Sequence, residues 1–245
     1  MVDIHCHILN GVDDGSGCLS ESVEMARIAC ESGTRVIVAT PHTNIPGSEV
    51  YPWGDVLKKR LAALNEKLKA ERIPLTLCPG QEVYYHGDVV ALLKRGEITT
   101  LNGSRYLLIE FNFSASLNTI LDACEVLSVI GIVPVVAHPE RYDSLQENED
   151  EVYRLKKKTG CLLQLNCGSL FGAFGQSAQR AAHGMLGEGL ADFIASDAHG
   201  PYVRTPFMAD AHEMVSEMYS LDYAELLFRV NPGLLVRDRE IKPAY

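Results

Sequence analysis

The feature that most constrains the fold is a recurring pair of segments, a short β-branched run followed by a turn and a helical stretch. Seven such runs, spaced about 30 residues apart, are found at residues 2–5, 35–39, 74–78, 105–111, 133–137, 161–165 and 191–195. Strands that alternate with helices at this spacing are typical of consecutive βα units around a parallel sheet. The sequence therefore predicts an α/β protein.

The helical stretches carry apolar residues on one face. Leu57, Leu61, Leu64 and Leu68 illustrate this pattern, and their spacing indicates that they pack into the core. No linker or low-complexity segment interrupts the 245 residues, and single α/β barrels reach this length. We therefore expect one domain over residues 1–245.

Composition and the N-terminus exclude several classes of protein. Apolar residues make up 47% and charged residues 22%, and no run of about 18 apolar residues could span a bilayer. A net charge of −10 argues against a nucleic-acid-binding surface. The N-terminus lacks the pattern of a secretory signal, which predicts a cytoplasmic protein. None of the seven cysteines has the arginine six positions later that a thiol phosphatase needs.

Polar residues follow nearly every predicted strand. They are His5, His7, His42, Glu82, Glu110, His138, Asn166, Asp197 and His199. A closed barrel collects its chemistry at the C-terminal strand ends all around the ring, whereas an open doubly wound sheet concentrates it at one switch point. The distribution therefore favours a seven-stranded barrel.

These residue types predict a metal centre. His5 and His7 are two apart at a strand end, so their side chains point to the same side and can share one ion. In the turn that follows, either Asp13 or Asp14 is a further candidate. Nitrogen and oxygen ligands without thiolate suit manganese, iron, zinc or magnesium. The number of candidates implies two or three ions, which favours hydrolysis of a phosphoester.

Two arginines strengthen this prediction. Arg141 and Arg204 follow His138 and His199 in the same loops, and a guanidinium can donate two hydrogen bonds to phosphate oxygens.

Other catalytic motifs are absent from the sequence. It has no serine-hydrolase elbow, phosphate-binding loop or Asp-x-Asp nucleophile pair, which counts against those three classes of enzyme. The three remaining histidines, His86, His183 and His212, fall where solvated or structural roles are expected.

The ordered motifs resemble the polymerase and histidinol phosphatase (PHP) superfamily, and within it the bacterial protein-tyrosine phosphatases of capsule and exopolysaccharide synthesis. The motifs are His5-Cys-His7, Val-Asp-Asp-Gly15, Thr-Pro-His42, Pro-Gly-Gln-Glu82, Leu-Ile-Glu110-Phe, Ala-His138-Pro-Glu-Arg141, Gly-Ser-Leu-Phe-Gly-Ala-Phe-Gly175 and Ser-Asp197-Ala-His199. The resemblance covers almost the whole chain. Asn10 and the loop over residues 43–53 depart from the pattern, which leaves substrate preference open.

The resemblance implies a distorted seven-stranded βα barrel with three metal ions, commonly manganese. It assigns His5, His7, Glu82 and Asp197 to one ion, Glu82, Glu110 and His138 to a second, and Asp14, His42 and His199 to a third. It also assigns Arg141 and Arg204 to phosphate binding.

The leading functional prediction is hydrolysis of phosphotyrosine on the tail of a bacterial tyrosine autokinase, as the resemblance implies. One alternative is a small-molecule phosphomonoesterase such as a histidinol phosphatase, which would share the metal site but not the pocket. The other is a non-catalytic module that binds the kinase. The complete ligand set counts against that module, and the acidic balance disfavours a PHP nuclease.

Overall fold

A computed structural model describes residues 1–48, 51–146 and 148–242. Residues 49 and 50, which belong to the departing loop over residues 43–53, lie outside this description. Within the described part, the strands are β1 (Val2–Cys6), β2 (Val36–Ala39), β3 (His42–Thr43), β4 (Thr76–Pro79), β5 (Glu82–Tyr84), β6 (Tyr106–Glu110), β7 (Val133–Ala137), β8 (Leu162–Asn166) and β9 (Phe193–Ala195).

Helices follow most of the strands. They are α1 (Leu19–Glu31), α2 (Asp55–Ala70), α3 (Val89–Arg95), α4 (Leu117–Val129), α5 (Glu149–Thr159), α6 (Cys167–Leu170), α7 (Gln176–Gly187), α8 (Ala209–Met218), α9 (Leu221–Glu225) and α10 (Asn231–Leu235). In the described residues, none of these helices has the length and apolarity needed to cross a membrane.

Each of the seven predicted runs contains a strand, but the second and third units are divided. After β2 the ladder stops at Thr40 and Pro41, and proline has no N–H to donate. After β4 it stops at Gly80, where an added Cβ would lie 2.6 Å from Val38 Cγ1. The chain resumes as the short strands β3 and β5, which pair with each other through His42 and Glu82.

All the paired strands are parallel and form two sheets. One has the order β1-β2-β4, and the other has the order β3-β5-β6-β7-β8-β9. Backbone bonds also connect the ends of β1 and β9, because Asp197 N–H donates to His5 O at 2.8 Å and His7 N–H donates to Ala198 O at 2.8 Å. The prediction of an α/β fold built on parallel strands is confirmed.

The core lies on both sides of the strands. Leu57, Leu64 and Leu68 of α2 are fully buried and Leu61 packs against the same cluster, as the leucine spacing predicts. Another cluster joins side chains from β1, β2, β6, β7, β8 and β9. Along each strand, the members of this cluster come before the polar residues at the strand end. Apolar packing therefore supports the strand ends that carry those polar residues.

Candidate metal centre

The structure brings all nine predicted metal ligands together at the C-terminal strand ends. Contacts of 3.0 to 3.5 Å connect His5, His7, Asp14, His42, Glu82, Glu110, His138, Asp197 and His199. The side chains come from segments as far apart in sequence as β1 and the loop after β9. Parallel strands place all these ends at one edge, so folding itself produces the convergence.

Glu82 lies at the centre of the cluster and is 1% exposed. Its Oε2 lies 3.2 Å from His5 Nε2, 3.3 Å from His7 Nε2 and 3.0 Å from His42 Nδ1. Its Oε1 lies 3.0 Å from His138 Nε2. Because its two oxygens face different histidines, this carboxylate has the arrangement of a group that bridges two ions.

His5 and His7 present the same ring nitrogen to the centre. His5 Nδ1 lies 2.7 Å from Gln164 Oε1, and His7 Nδ1 lies 2.7 Å from Asp13 Oδ2. Since both partners are acceptors, each imidazole carries its proton on Nδ1 and leaves Nε2 available as a ligand. The two Nε2 atoms lie only 3.2 Å apart.

The neighbouring aspartates face different ways. Asp13 Oδ2 accepts from His7 Nδ1 and from the backbone N–H of His42 at 3.0 Å, so this side chain lies behind the ligands. Asp14 Oδ1 faces the cluster, 3.4 Å from His199 Nε2 and 3.5 Å from His42 Nε2. Of the two candidates that the sequence leaves open, Asp14 is the one directed at the other ligands.

The donor set fits divalent cations. Ligand atoms within 4.8 Å of one another occur in three groups, which are His7, Asp14, His42 and His199; His5, His7 and Glu82; and His42, Glu82 and Glu110. Within the described residues, the buried Nδ1 atoms of His42 and His138 have no hydrogen-bond partner. His42 Nδ1 lies 3.0 Å from Glu82 and 3.1 Å from Glu110 without such a bond, an arrangement expected where a cation lies between an imidazole and carboxylates.

Charge within the cluster shifts the pKa values strongly. Burial alone would lower the pKa of His42, but Glu82 and Glu110 raise it to about 12. At His7, burial likewise lowers the pKa, but the neighbouring carboxylate of Asp13 outweighs it, and the pKa rises to about 9. Carboxylates that favour protonated imidazoles in this way would also favour a bound cation, and a metal would displace the protons.

Three non-glycine residues at the site adopt left-handed backbone conformations. The φ angles are 37° at His138, 50° at Asp197 and 51° at Arg204. Such conformations carry a cost that the surrounding structure must offset, and they cluster at functional sites. Here they turn the chain sharply at the strand ends, where the side chains meet the cavity.

A cavity of about 190 Å³ opens above the cluster, and its lining includes both predicted arginines. Arg204 Nη2 lies 2.6 Å from Asp197 Oδ2, and Arg141 Nη1 lies 3.8 Å from the same oxygen. In the part of the chain that is described, the buried Nε of Arg204 has no hydrogen-bond partner. Phe113, which is 43% exposed, also lines this cavity. The site therefore offers guanidinium donors beside the ligand cluster, an arrangement that suits a phosphate group.

Sequence reasoning missed a chain of hydrogen bonds through the side-chain amides of Gln164 and Asn166, beside the cluster. Gln164 accepts from His5, its Nε2 donates to Asn166 Oδ1 at 2.9 Å, and Asn166 Nδ2 donates to Asp197 Oδ2 at 2.6 Å. The sequence does contain a sign of this contact: Gln164 lies two positions before Asn166 in an otherwise apolar strand, so both side chains point to the same side. Asn166, which sequence analysis placed among the strand-end polar residues, connects Gln164 to Asp197 in this chain of hydrogen bonds.

The three remaining histidines lie outside the cluster. His183 Nε2 contacts Leu170 O at 3.2 Å, and His212 Nε2 pairs with Glu225 at 3.0 Å. His86 lies in the loop after β5.

The fold and the site define a class of α/β proteins with a His/Asp/Glu cluster at the C-terminal ends of parallel strands. The chain belongs to the CpsB/CapC family of capsular polysaccharide synthesis, whose family model matches residues 1–237. The family relationship that the motifs predict is therefore confirmed.

Relatives cover nearly the whole chain. The tyrosine-protein phosphatase YwqE of Bacillus subtilis (strain 168) is 36% identical over 242 residues, which is 98% of this chain and 93% of that protein. The tyrosine-protein phosphatase CpsB of Streptococcus agalactiae serotype III (strain NEM316) is 32% identical over 246 residues, 98% of this chain and 100% of the relative.

Solved structures agree with these relationships. A structure from work on YwqE of Bacillus subtilis and CpsB of Streptococcus pneumoniae, described as unique metal-dependent tyrosine phosphatases, matches with a TM-score of 0.91 and 35% identity, covering 99% of this chain and 96% of the other. Histidinol phosphate phosphatase from Lactococcus lactis matches with a TM-score of 0.57 and 10% identity, covering 93% and 94%. The second match shows a shared fold.

Proposed function

We propose that this protein is a metal-dependent protein-tyrosine phosphatase that hydrolyses phosphotyrosine. The observation that carries the proposal is the Glu82-centred cluster of nitrogen and oxygen ligands with Arg141 and Arg204 on the same cavity. The activities named for the relatives support the same reaction.

Two or three divalent ions would occupy the cluster. Manganese is the expected metal, with iron, zinc and magnesium as alternatives. The proposed assignment is His5, His7, Glu82 and Asp197 for one ion, Glu82, Glu110 and His138 for a second, and Asp14, His42 and His199 for a third. When bound, such ions neutralise charge on phosphoryl oxygens and lower the pKa of water.

The protein's own groups would hold the substrate in place. Arg141 and Arg204 line the cavity and can donate to the equatorial oxygens of the phosphoryl group, where negative charge develops. Asp197 forms an ion pair with Arg204 and so holds the guanidinium that lies nearer to the proposed ligands. The tyrosine oxygen, with a pKa of about 10, leaves more easily than an alkyl alkoxide and needs less help from a general acid.

We infer that the parallel strands close into a distorted seven-stranded (β/α) barrel within one domain over residues 1–245. The bonds between the ends of β1 and β9 support closure, since they connect the first and last strands. The family match over residues 1–237 supports a single domain.

The substrate that we propose is the phosphotyrosine tail of a bacterial tyrosine autokinase that regulates capsule or exopolysaccharide synthesis. The family's description as capsular polysaccharide synthesis supports this assignment. A cytoplasmic location stays a prediction from the sequence.

Hydrolysis by the metal-loaded protein tests the proposal. Chelated protein is reloaded with Mn²⁺, Mg²⁺, Zn²⁺ or Fe²⁺ and given a phosphotyrosine peptide, histidinol phosphate or an alkyl phosphate. We expect phosphate release from the peptide well above release from the other two substrates. Glu82→Ala should abolish turnover, whereas Glu66→Ala, on the exposed face of α2, should retain it.

Two outcomes contradict the proposal. One is a failure of every metal-loaded form to release phosphate from the peptide. The other is full activity in Glu82→Ala. Preference for histidinol phosphate would instead assign the site to small-molecule phosphomonoester hydrolysis.

A further inference from the structure

Phe174 contacts both arginines of the cavity. The Arg141 guanidinium carbon is 4.3 Å from the centroid of the Phe174 ring, and that of Arg204 is 5.4 Å from the same centroid. Arg141 also lies 4.3 Å from the centroid of Phe113. One guanidinium therefore contacts two aromatic rings, and one ring contacts both arginines.

The loop that carries Phe174 is built to hold its ring in place. A Cβ added to Gly168 would lie 3.1 Å from Phe174 Cε2, so the ring packs directly on the glycine backbone. Ala173 N–H donates to Gly168 O at 3.0 Å, and Gly175 N–H donates to Gly172 O at 3.0 Å. These bonds close the loop around the ring and limit its movement.

Both arginines extend towards one carboxylate oxygen, Asp197 Oδ2. Guanidiniums that converge in this way repel each other, and nearby cations would add to that repulsion. The negative face of an aromatic ring attracts a guanidinium and stacks on its plane, which leaves the edge N–H groups free to donate. The ring faces therefore favour orientations in which the N–H groups at the guanidinium edge remain free to donate to an anion in the cavity.

We propose that Phe174, together with Phe113, is a positioning residue that orients Arg141 for the phosphoryl oxygens. The inference rests on the proposed function, because it requires a phosphate group in this cavity. Phe174 acts through the arginines and does not itself touch the reacting atoms.

Binding of inorganic phosphate tests the proposal separately from hydrolysis. Calorimetry on the metal-loaded protein measures phosphate affinity, and steady-state assays measure kcat and KM for a phosphotyrosine peptide. Phe174→Leu retains an apolar side chain but removes the aromatic face. We expect a loss of phosphate affinity of about threefold to thirtyfold, with a raised KM, a smaller change in kcat and unchanged metal content. Phe174→Trp should restore affinity.

Coupling to Arg141 distinguishes positioning from a general structural effect. In an Arg141→Ala background, Phe174→Leu should cause little further loss of phosphate affinity. Phe113→Leu should show the same coupling, which provides a second variant at a half-exposed position if Phe174→Leu does not fold. The control is Phe171→Leu in the same loop, since Phe171 is 50% exposed.

Wild-type phosphate affinity in both leucine variants would overturn the proposal, as would equal losses with and without Arg141. If wild-type protein binds phosphate but does not hydrolyse the peptide, the proposed function fails. The positioning role would still be decided by the phosphate affinities.

Discussion

Asp13 and Asp14 show how two adjacent and identical side chains take different roles. The Asp13 side chain is buried and accepts hydrogen bonds from His7 Nδ1 and from the backbone N–H of His42 in β3. Asp14 stays near the cavity surface, facing His42 and His199. One carboxylate orients a ligand, and the other is directed at the cluster.

Replacing each aspartate by asparagine should separate these roles. Asp14→Asn removes a charged ligand, so we expect one ion fewer per chain and low activity even at saturating metal. Asp13→Asn weakens only the support of His7, so metal affinity should fall about 10-fold to 100-fold while saturating metal restores turnover. Metal analysis and titration of activity with Mn²⁺ measure both effects. Recovery of Asp14→Asn at high metal would contradict the assignment.

Gln164 provides a second test of an indirect contribution. Gln164→Leu removes the acceptor for His5 Nδ1 and the donor to Asn166, so His5 loses the contact that fixes its tautomer. We expect metal affinity to fall about 10-fold to 100-fold, measured by competition with a chelator. The control is Gln176→Leu at the exposed start of α7, which should bind metal like wild type. Equal affinity in Gln164→Leu would exclude this role.

The sequence predicts which residues converge in the cluster better than it predicts the side chains that support them. His5, Glu82 and Asp197 are recognisable because histidines and acids rarely follow strands for packing reasons. Gln164 and Phe174 are neutral, and their roles depend on distances to residues far away in the sequence. Only the folded arrangement brings those partners together.

At the scale of elements, the divided second and third strands are the main difference from the expectation of seven continuous strands. Their β-branched runs predict β2 and β4 correctly. The breaks depend on packing between units, since Gly80 closely approaches Val38 on the neighbouring strand. A sequence pattern cannot show that contact, although Pro41 and Gly80 permit the breaks.

Gly80→Ala should therefore reduce stability. The added methyl must displace Val38 or the chain of Gly80, and overpacking of this kind costs about 1–3 kcal/mol. Urea unfolding followed by circular dichroism measures the free energy of unfolding. Gly187→Ala in α7 is the matched control, because nothing lies within 4 Å of its added Cβ and stability should be unchanged or higher. Equal stability of the two variants would show that the close approach is easily relieved.

At the scale of the whole molecule, the cluster should make the pH dependence of stability differ between metal-free and metal-loaded protein. Free histidine has a pKa of about 6.5, whereas His7 is raised to about 9 and His42 to about 12 in the metal-free fold. Their protonation stabilises the metal-free fold fully below pH 6.5 or so, and this contribution is lost as pH rises through the folded pKa values.

We expect the unfolding free energy of chelated protein to fall between about pH 6.5 and pH 9, by at most about 1.4 kcal/mol per pH unit for each such histidine. Metal-loaded protein should show the opposite trend or none, because deprotonated imidazoles bind cations better. Urea unfolding across this range measures both curves. His42→Gln should flatten the metal-free curve, and a metal-free curve that rises with pH would contradict the explanation.

The spread of the site along the chain has a consequence for biosynthesis. The first proposed ligand is His5 and the last cavity arginine is Arg204, so these contributors lie 199 positions apart in the sequence. During translation, the early histidines leave the ribosome long before Asp197 and His199 exist. A nascent chain therefore cannot assemble the complete cluster of proposed ligands and arginines until residue 204 has been translated.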